Sequence, residues 1–422
     1  MIFYILLDMR TPSVLGMQTH HLELNNPDFI LNPYPILGEL RRNKPIFYDP
    51  IWKKVFVLSY DHISSLLRDK RLGRSIFHLL SRDELGFPPP DPRLTAFDAF
   101  QEHHILDMEG SGHTRIRGLV QKAFTPSKVE NLRLRIRDLV ASSLENLPQT
   151  FDAVSDFAEP LPVMVIAELL GVPALDRHKL RPWSAAIVKL YELGYSDATA
   201  EAGNTAVLEF SAYIQALAKQ RRLEPQDDLI SALVQVEEAG ERLSNAELIA
   251  NCILFLNAGH EATVNGLSSG LLALHNHPSA KAELVAAVSQ PDTAKIWTSA
   301  VDELLRFDTP LPMFERWVLE DMEFAGLQLK KGMELALMYA SGNRDPKKFE
   351  HPDQINLARE PNMHLTFGLG THYCIGAPLA RLEMSVALRM FLKKFPSYSI
   401  PVQPLEYTGF VIRGLKQLIV QA

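Results

Sequence analysis

One cysteine near the carboxyl end of the chain has surroundings suited to chemistry. Cys374 lies in the stretch FGLGTHYCIGAPLARLEMSVAL, residues 367–388, where a glycine-rich loop precedes an amphipathic helix. The dipole and the free N–H groups of a helix N-terminus stabilise a thiolate. Gly368, Gly370 and Gly376 allow backbone close to the sulfur, as a sulfur ligand to a metal requires. An inert cysteine in a glycine-rich turn is the alternative interpretation.

The number and spacing of the other potential ligands limit which metal such a thiolate could bind. Cys252 and Cys374 are the only cysteines, and no CxxC pair occurs, so zinc and iron–sulfur clusters are disfavoured. A single thiolate instead suits the fifth ligand position of a haem iron. His260 and Glu261 begin a zinc-protease HExxH motif, but position 264 is a valine, so a helical metalloprotease is disfavoured too.

The cysteine loop fills the pattern Phe-x-x-Gly-x-x-x-Cys-x-Gly with Phe367, Gly370, Cys374 and Gly376. On this motif the chain resembles the cytochrome P450 family, the haem-thiolate monooxygenases, in its soluble bacterial form. The resemblance implies haem b with Cys374 as its axial ligand and the other three residues as cofactor contacts. It also implies a mainly α fold with small β-sheets, a single domain, and a long central helix over the haem.

Three further motifs extend the resemblance over essentially the whole chain. Glu303-Leu-Leu-Arg306 is similar to the Glu-x-x-Arg of the family, an i,i+3 ion pair on one helix face, and Arg359 falls where a third member joins the pair. A haem also carries two carboxylates, which need cations and donors when buried. The resemblance places four residues at these propionates: His113, Arg117, Arg316 and His372.

A long central helix is predicted around the stretch LNAGHEATVNG, residues 256–266. Ser244 and Glu247 have the spacing of a capping box, and Pro278 ends the run. About 30 residues make a helix of roughly 45 Å, which would cross a whole domain and be buried nearly all round.

The middle of that helix departs from the family at one residue. Ala258, Gly259 and Glu261 match the family turn Ala/Gly-Gly-x-Asp/Glu-Thr, but Ala262 takes the place of the threonine. Thr263 is rotated by about 100° from that position on an ideal helix. Glu261 remains as the predicted proton donor, which favours reductive oxygen activation. Three explanations stay open: a substrate hydroxyl that holds water, a helix bulge at Gly259 that turns Thr263 inward, or a poor or specialised oxidant.

Composition restricts the class of protein. The 422 residues are 46% apolar, and the net charge of −7 gives no support to nucleic-acid binding. Two cysteines suit a reducing compartment. The opening MIFYILLD is apolar for seven residues only, too few for a spanning helix, and charges interrupt every later apolar run. We therefore expect a cytoplasmic protein without a membrane segment.

The chain shows no repeat and no linker, so one haem-thiolate domain over residues 1–422 is predicted. Within it we expect an N-terminal extension over about residues 1–30 and a variable substrate loop over about residues 71–104. Patterning predicts the remaining elements in chain order: a hairpin over Pro45–Ser59, a loop at Phe87–Arg93, helices from Ser111 to about Arg306, strands at Phe324–Leu329 and Glu334–Tyr339, a helix at Pro378–Lys394 and a β-like tail.

Partners and substrate follow from the resemblance. No flavin or ferredoxin module fits in the chain, so electrons are expected from a separate ferredoxin and its reductase. The predicted docking residues are Arg115, Lys122, Arg381 and Lys393. Family positions give a mostly apolar substrate pocket for a lipophilic small molecule such as a terpenoid, a steroid or a fatty acyl chain: Phe97, Leu254, Asn257, Ala258, Met313 and Val411. A monomer is expected. The alternative function, motivated by Ala262, is a catalytically silent haem-thiolate fold that binds or recruits.

Overall fold

The computed structural model describes residues 16–191, 195–236, 240–290 and 294–422, and most of them are helical. The helices are α1 (Pro27–Leu31), α2 (Tyr34–Asn43), α3 (Tyr60–Leu66), α4 (Thr95–His103), α5 (Gly110–Ala123), α6 (Pro126–Asn131), α7 (Arg133–Glu145), α8 (Pro160–Leu170), α9 (Leu180–Val188), α10 (Asp197–Leu223), α11 (Leu229–Gln235), α12 (Asn245–Asn276), α13 (Pro278–Ala287), α14 (Ala294–Phe307), α15 (Tyr339–Gly342) and α16 (Ala377–Lys394). Among these helices, none is both long and apolar enough to cross a membrane.

The strands are short and form three small sheets. They are β1 (Ile46–Asp49), β2 (Lys54–Val57), β3 (Leu72–Gly73), β4 (Thr150–Asp152), β5 (Phe314–Val318), β6 (Met322–Phe324), β7 (Leu327–Leu329), β8 (Glu334–Leu337) and β9 (Ile419–Gln421). The sheet orders are β1-β2-β8-β5-β3, β4-β9 and β6-β7. The predicted mainly α fold with small β-sheets is therefore confirmed.

The described residues divide into two compact units. Unit 1 contains residues 73–128 and 163–260, and unit 2 contains residues 16–72, 129–162 and 261–422. The single haem-thiolate domain stays a prediction. The MIFYILLD segment lies outside the described residues.

Helix α10 organises unit 1. Gly203, Val207, Phe210 and Ile214 are buried along one face at the spacing of helical turns. α10 packs against α4, α9 and α11. The side chain of Asn204 accepts hydrogen bonds from the N–H groups of Ala96 (2.9 Å) and Phe97 (3.2 Å), in the first turn of α4. These N–H groups have no helical partner of their own, so Asn204 ties the predicted pocket residue Phe97 to α10.

The five-stranded sheet of unit 2 is buried on both faces. Val55 and Val57 of β2 belong to one hydrophobic cluster, and Phe56 between them belongs to another. β8 alternates in the same way, with Leu335 and Leu337 on one face and Ala336 on the other. Because successive strand residues point to opposite faces, these runs of apolar residues fill two cores.

The predicted hairpin over Pro45–Ser59 is confirmed. β1 and β2 are antiparallel, with Tyr48 opposite Val55. At the turn the Asp49 carboxylate accepts hydrogen bonds from the N–H of Ile51 (2.9 Å) and, from the N-terminal segment, the N–H of Leu22 (2.7 Å). Leu22 is 2% exposed, so part of the segment that we predicted as an extension is packed into unit 2.

The single strand that we predicted over Phe324–Leu329 is wrong. The structure has a hairpin there, in which β6 and β7 pair antiparallel and Phe324 lies opposite Leu327. Ala325 and Gly326 both have positive φ, at 51° and 78°. A tight turn in this conformation reverses the chain between the two strands. The apolar residues of both strands follow one another closely in sequence, so their pattern predicted a single strand.

Helix α16 packs against α7 and α14 in unit 2 and carries a buried carboxylic acid. Glu383 is 2% exposed, and its Oε1 atom has no hydrogen-bond partner among the residues that the structure describes. Burial raises the pKa of Glu383 to about 8, because the charged form loses its hydration.

We expect Glu383 to make thermal stability pH-dependent. Its pKa is raised on folding from 4.5 to about 8, so between these values the native state binds more protons than the unfolded state. Stability contributed by this group is therefore lost as the pH rises through this window. The thermal midpoint of the holoprotein, followed by circular dichroism between pH 5 and 8, should fall less in Glu383→Gln than in the wild type. Equal slopes in the two proteins would contradict this, and Glu283→Gln, which removes an exposed carboxylate, is the control.

Candidate active site

The structure places Cys374 in an irregular loop, three residues before α16. Its N–H donates to the carbonyl of Phe367 (2.9 Å), and its own carbonyl accepts from the N–H of Ala377 (3.4 Å). Cys374 is exposed, whereas Cys252 is buried on α12, where desolvation raises the pKa of its thiol. Free cysteines are usually among the most buried residues. Of the two cysteines, Cys374 therefore has the surroundings that suit a thiolate ligand.

The glycines of the cysteine loop are required for different structural reasons. Gly368 and Gly370 adopt positive φ, 66° and 73°, which side-chain-bearing residues rarely adopt. A Cβ atom on Gly370 would also lie 2.3 Å from the carbonyl oxygen of Leu67. Gly376 is the glycine next to the thiol, since a Cβ atom there would lie 3.9 Å from Sγ of Cys374. We expected all three glycines to serve the sulfur, but packing against Leu67 already requires Gly370.

Glu303, Arg306 and Arg359 come together in unit 2 as one buried cluster. Both Glu303 and Arg306 are 0% exposed. Arg306 donates twice to the Glu303 carboxylate, at 2.8 Å from Nε and 2.8 Å from its terminal nitrogen, and Nε of Arg359 donates at 3.0 Å. Burial opposes ionisation of Glu303, but these donors hold the pKa of its carboxyl below the ordinary value.

Sequence reasoning missed the other partners of this cluster. The N–H of Asn356 (2.8 Å) and the side chain of Asn362 (3.1 Å) also donate to Glu303. Arg306 in turn donates to the carbonyl groups of Asn343, Pro352 and Gln354. No sequence signal distinguishes these residues, because asparagine and proline are ordinary loop residues.

The central helix forms as predicted. Ser244 and Glu247 make the reciprocal hydrogen bonds of a capping box, from the N–H of Ser244 to Glu247 (2.8 Å) and from the N–H of Glu247 to the Ser244 hydroxyl (3.2 Å). α12 runs over Asn245–Asn276, 32 residues. It is mostly buried, but Ala258 is exposed and Ala262 is half-buried. This short accessible stretch lies in the middle of the helix.

The structure resolves one of the explanations for the missing threonine. α12 is regular through Gly259, and no bulge turns Thr263 toward the face of Ala262. Thr263 is 5% exposed, whereas Glu261 and Ala262 are both half-buried. The bulge explanation is therefore wrong. Gly259 packs closely within unit 1, and a Cβ atom there would lie 2.9 Å from the end of the Ile166 side chain, which would have to shift.

An amide side chain lies one helical turn before Glu261. Asn257 is 7% exposed, and neither its amide oxygen nor its amide nitrogen has a hydrogen-bond partner among the described residues. A buried polar group without a partner is costly, and such groups in a native fold commonly serve a ligand. Residues four apart share a helix face, so the Asn257 amide and the Glu261 carboxyl lie on the same side of α12.

The predicted propionate contacts are distributed over the two units. His113 (3% exposed) and Arg117 (half-buried) are one turn apart on α5 of unit 1. Arg316 (4% exposed) lies on β5 of unit 2 and donates to the carbonyl of Glu315 at 2.8 Å, and His372 is half-buried in a short helical turn before Cys374. Their common role stays a prediction.

The predicted substrate residues differ in burial. Phe97 is 2% exposed and packs edge-on against Tyr191 at 5.4 Å between ring centroids. Leu254 is buried on α12, and Met313 belongs to a hydrophobic cluster of unit 2. Val411 is 41% exposed. Apart from Asn257, these side chains offer only apolar surface.

Comparison with known proteins identifies the fold. The sequence model described as cytochrome P450 matches residues 196–409. The chain is 36% identical over 403 residues to the polyketide biosynthesis cytochrome P450 PksS of Bacillus subtilis (strain 168), covering 93% of this chain and 96% of that protein. The solved structure of Bacillus subtilis 168 PksS superposes with a TM-score of 0.84 at 36% identity, covering 95% of this chain and 99% of the other.

A second solved structure is a complex with a carrier protein. P450BioI in complex with hexadec-9Z-enoic acid ligated acyl carrier protein superposes with a TM-score of 0.83 at 32% identity, covering 94% of this chain and 99% of that chain. Members of this family hold haem b through a cysteine thiolate, and the relatives are named as monooxygenases and hydroxylases. With the cysteine loop, the buried glutamate–arginine cluster and the long helix in place, the chain belongs to the cytochrome P450 family and is a haem-thiolate monooxygenase.

Proposed function

We propose that this monooxygenase oxidises a lipophilic small molecule with O₂, with Cys374 as the axial ligand of haem b. The observation that carries the proposal is the position of Cys374 just before the N-terminus of α16, in a loop closed by the hydrogen bond from its N–H to the carbonyl of Phe367. The helix dipole favours the thiolate form, which is the form that binds iron.

The surrounding residues suit a haem. The accessible stretch of α12 is small and apolar at Ala258 and Ala262, which fits the flat apolar face of a macrocycle. His113, Arg117, Arg316 and His372 would hold its propionates, since buried carboxylates need such donors. When bound, the haem supplies the iron centre at which O₂ is activated and one oxygen atom is inserted into the substrate.

Cys374→Ser should abolish thiolate ligation. We expect the reduced carbon monoxide complex of the wild type to show the red-shifted Soret band of a thiolate-bound haem, and the variant to lack it, because a serine hydroxyl does not replace a thiolate. Cys252→Ser, which changes the buried cysteine, is the matched control and should keep the band. A Cys374→Ser protein that retains the red-shifted band would refute Cys374 as the ligand.

Glu261 is proposed as the proton donor for oxygen activation. Its carboxyl is half-buried beside the accessible stretch of α12, where an acid can exchange protons with water. Ala262 has no hydroxyl to assist it, and Thr263 is buried. Two explanations remain for this departure: a substrate hydroxyl holds the water that passes the proton, or the enzyme is a slow or specialised oxidant.

Glu261→Gln should slow product formation by about 100-fold, because general acid catalysis contributes about that factor or more. The measurement is the rate of formation of oxidised product, recorded together with NAD(P)H consumption, with a surrogate ferredoxin and its reductase and a panel of lipophilic ligands. Unchanged product formation would exclude Glu261 as an essential donor. A wild-type protein that binds ligands and forms no product with any of them would favour the alternative, a catalytically silent binding module.

The substrate is proposed to be a lipophilic molecule that carries one oxygen function. Phe97, Leu254 and Met313 are buried apolar residues, which suits a hydrocarbon body. The Asn257 amide offers one donor and one acceptor, which suits a hydroxyl or carbonyl group. The hexadec-9Z-enoic acid of the P450BioI complex supports the lipophilic class.

Asn257→Leu should weaken binding of oxygenated ligands by about tenfold, because a buried hydrogen bond is lost. Binding is measured by titrating the haem absorption spectrum with pairs of ligands that differ by one hydroxyl group. The hydrocarbon member of each pair should bind as before or more tightly, and Asn276→Leu, the same change at an exposed position of α12, should alter neither. An equal effect on both members would refute the polar contact.

Electrons are proposed to come from a separate ferredoxin and its reductase, and the protein is proposed to be a cytoplasmic monomer. Two of the predicted docking residues already have carboxylate partners: Arg115 pairs with Glu247, and Nε of Arg381 lies 2.7 Å from Asp302. Such pairing reduces the charge that these arginines offer to an acidic partner. Lys122 and Lys393 are the exposed members of the predicted set, and we propose them as the principal docking cations.

A further inference from the structure

Asp302, the residue before the buried Glu303, has its own set of partners. Its Oδ1 atom lies 3.1 Å from Nε2 of His364 and 2.7 Å from Nε of Arg381. The N–H of Thr366 donates to Nδ1 of His364 (3.3 Å), so Nδ1 is an acceptor and Nε2 carries the proton that Asp302 accepts. One carboxylate oxygen on α14 thus joins the segment before the cysteine loop to helix α16.

Arg381 extends from this carboxylate to the cysteine loop itself. Its terminal nitrogen donates to the hydroxyl of Tyr373 at 3.3 Å, and its guanidinium lies over the ring of Phe367 at 4.4 Å from the centroid. These two residues mark the beginning and the end of the loop that leads to Cys374. We call Asp302, His364, Arg381, Tyr373 and Phe367 the Asp302 cluster.

The Asp302 cluster adds side-chain contacts to a loop that is irregular apart from one short helical turn. The backbone hydrogen bonds of this loop include those from Cys374 to Phe367 (2.9 Å) and from Tyr373 to Gly370 (3.1 Å). The guanidinium group of Arg381 is planar and carries several N–H donors, so it can contact a carboxylate, a phenol hydroxyl and the face of an aromatic ring at the same time. The side chain is 25% exposed, which leaves most of it inside the structure.

We propose that Arg381, fixed by Asp302, is a positioning residue that holds the Cys374 loop in the conformation required for thiolate ligation. The proposal rests on the proposed role of Cys374 as the haem ligand. It assigns Arg381 a role within the fold, in place of the predicted electrostatic contact with a ferredoxin.

The test is the stability of thiolate ligation in Arg381→Gln and Asp302→Asn holoproteins. Under mild urea, the reduced carbon monoxide complex should lose its red-shifted Soret band at least about tenfold faster than in the wild type, since charge-assisted hydrogen bonds are lost. The reduction potential of the iron should shift as well, because the sulfur is held less firmly. Arg389→Gln removes a positive charge from the same helix at an exposed position and should change neither quantity.

The outcomes separate this proposal from the proposed function. A wild type that never shows the red-shifted band would refute Cys374 ligation itself. A wild-type band with an unchanged decay rate and potential in folded Arg381→Gln would overturn the positioning role. If Arg381→Gln does not fold, Tyr373→Phe decides, because it removes only the hydroxyl contact. Faster decay than in the wild type supports the role, and equal decay overturns it.

Discussion

A carboxylate without access to water is the constraint on which the cysteine-bearing part of unit 2 depends. Glu303 is fully buried and accepts five hydrogen bonds from Arg306, Arg359, Asn356 and Asn362. A buried charge is tolerated only with such a complete set of donors, and removal of one partner from a buried pair costs about 3–5 kcal/mol. The irregular segment that supplies the donors must therefore fold against α14.

Helix α14 holds a second irregular segment through the neighbouring carboxylate. Adjacent residues on a helix point about 100° apart, so Glu303 and Asp302 face different surroundings. Glu303 accepts hydrogen bonds from residues 356–362, and Asp302 binds His364 and Arg381 on either side of the cysteine loop. Loops without a hydrogen-bond ladder of their own are thereby attached to one rigid helix, which is what a metal ligand on a loop requires.

The central helix shows the opposite use of polar groups. Along α12 the residues before and after the accessible stretch are buried, yet Asn257 retains an amide whose polar atoms have no partner among the described residues. Such a group lowers stability, and in native folds the sites that bear such a cost are typically functional or strained. Ala262 lies five residues further on, about 140° around the helix, and lacks the hydroxyl that we expected at this position. The family therefore defines the type of reaction, while Asn257 and Ala262 are the positions of α12 at which we propose that the substrate side of this chain is distinctive.

Features that depend on neighbours along the chain were predictable. Three of these features join residues that are close in sequence: the capping box at Ser244, the β1–β2 hairpin and the ion pair between Glu303 and Arg306. The geometry of helices and strands fixes which residues at such short spacings lie side by side. The length of α12 followed from its uninterrupted apolar pattern and its capping box. The P450 motif around Cys374 added the family and with it the haem.

Contacts between distant positions were decided by tertiary structure alone. Gly370 against Leu67 is an example, and so are Gly259 against Ile166 and Arg381 against Asp302. In each pair the residue types are compatible with many partners. The distance between two residues along the chain does not predict which of them will be in contact after folding. The sequence by itself therefore determined the family, the thiolate and the principal helices. Which side chains hold the cysteine loop, and which side of α12 remains accessible, depended on how the segments pack.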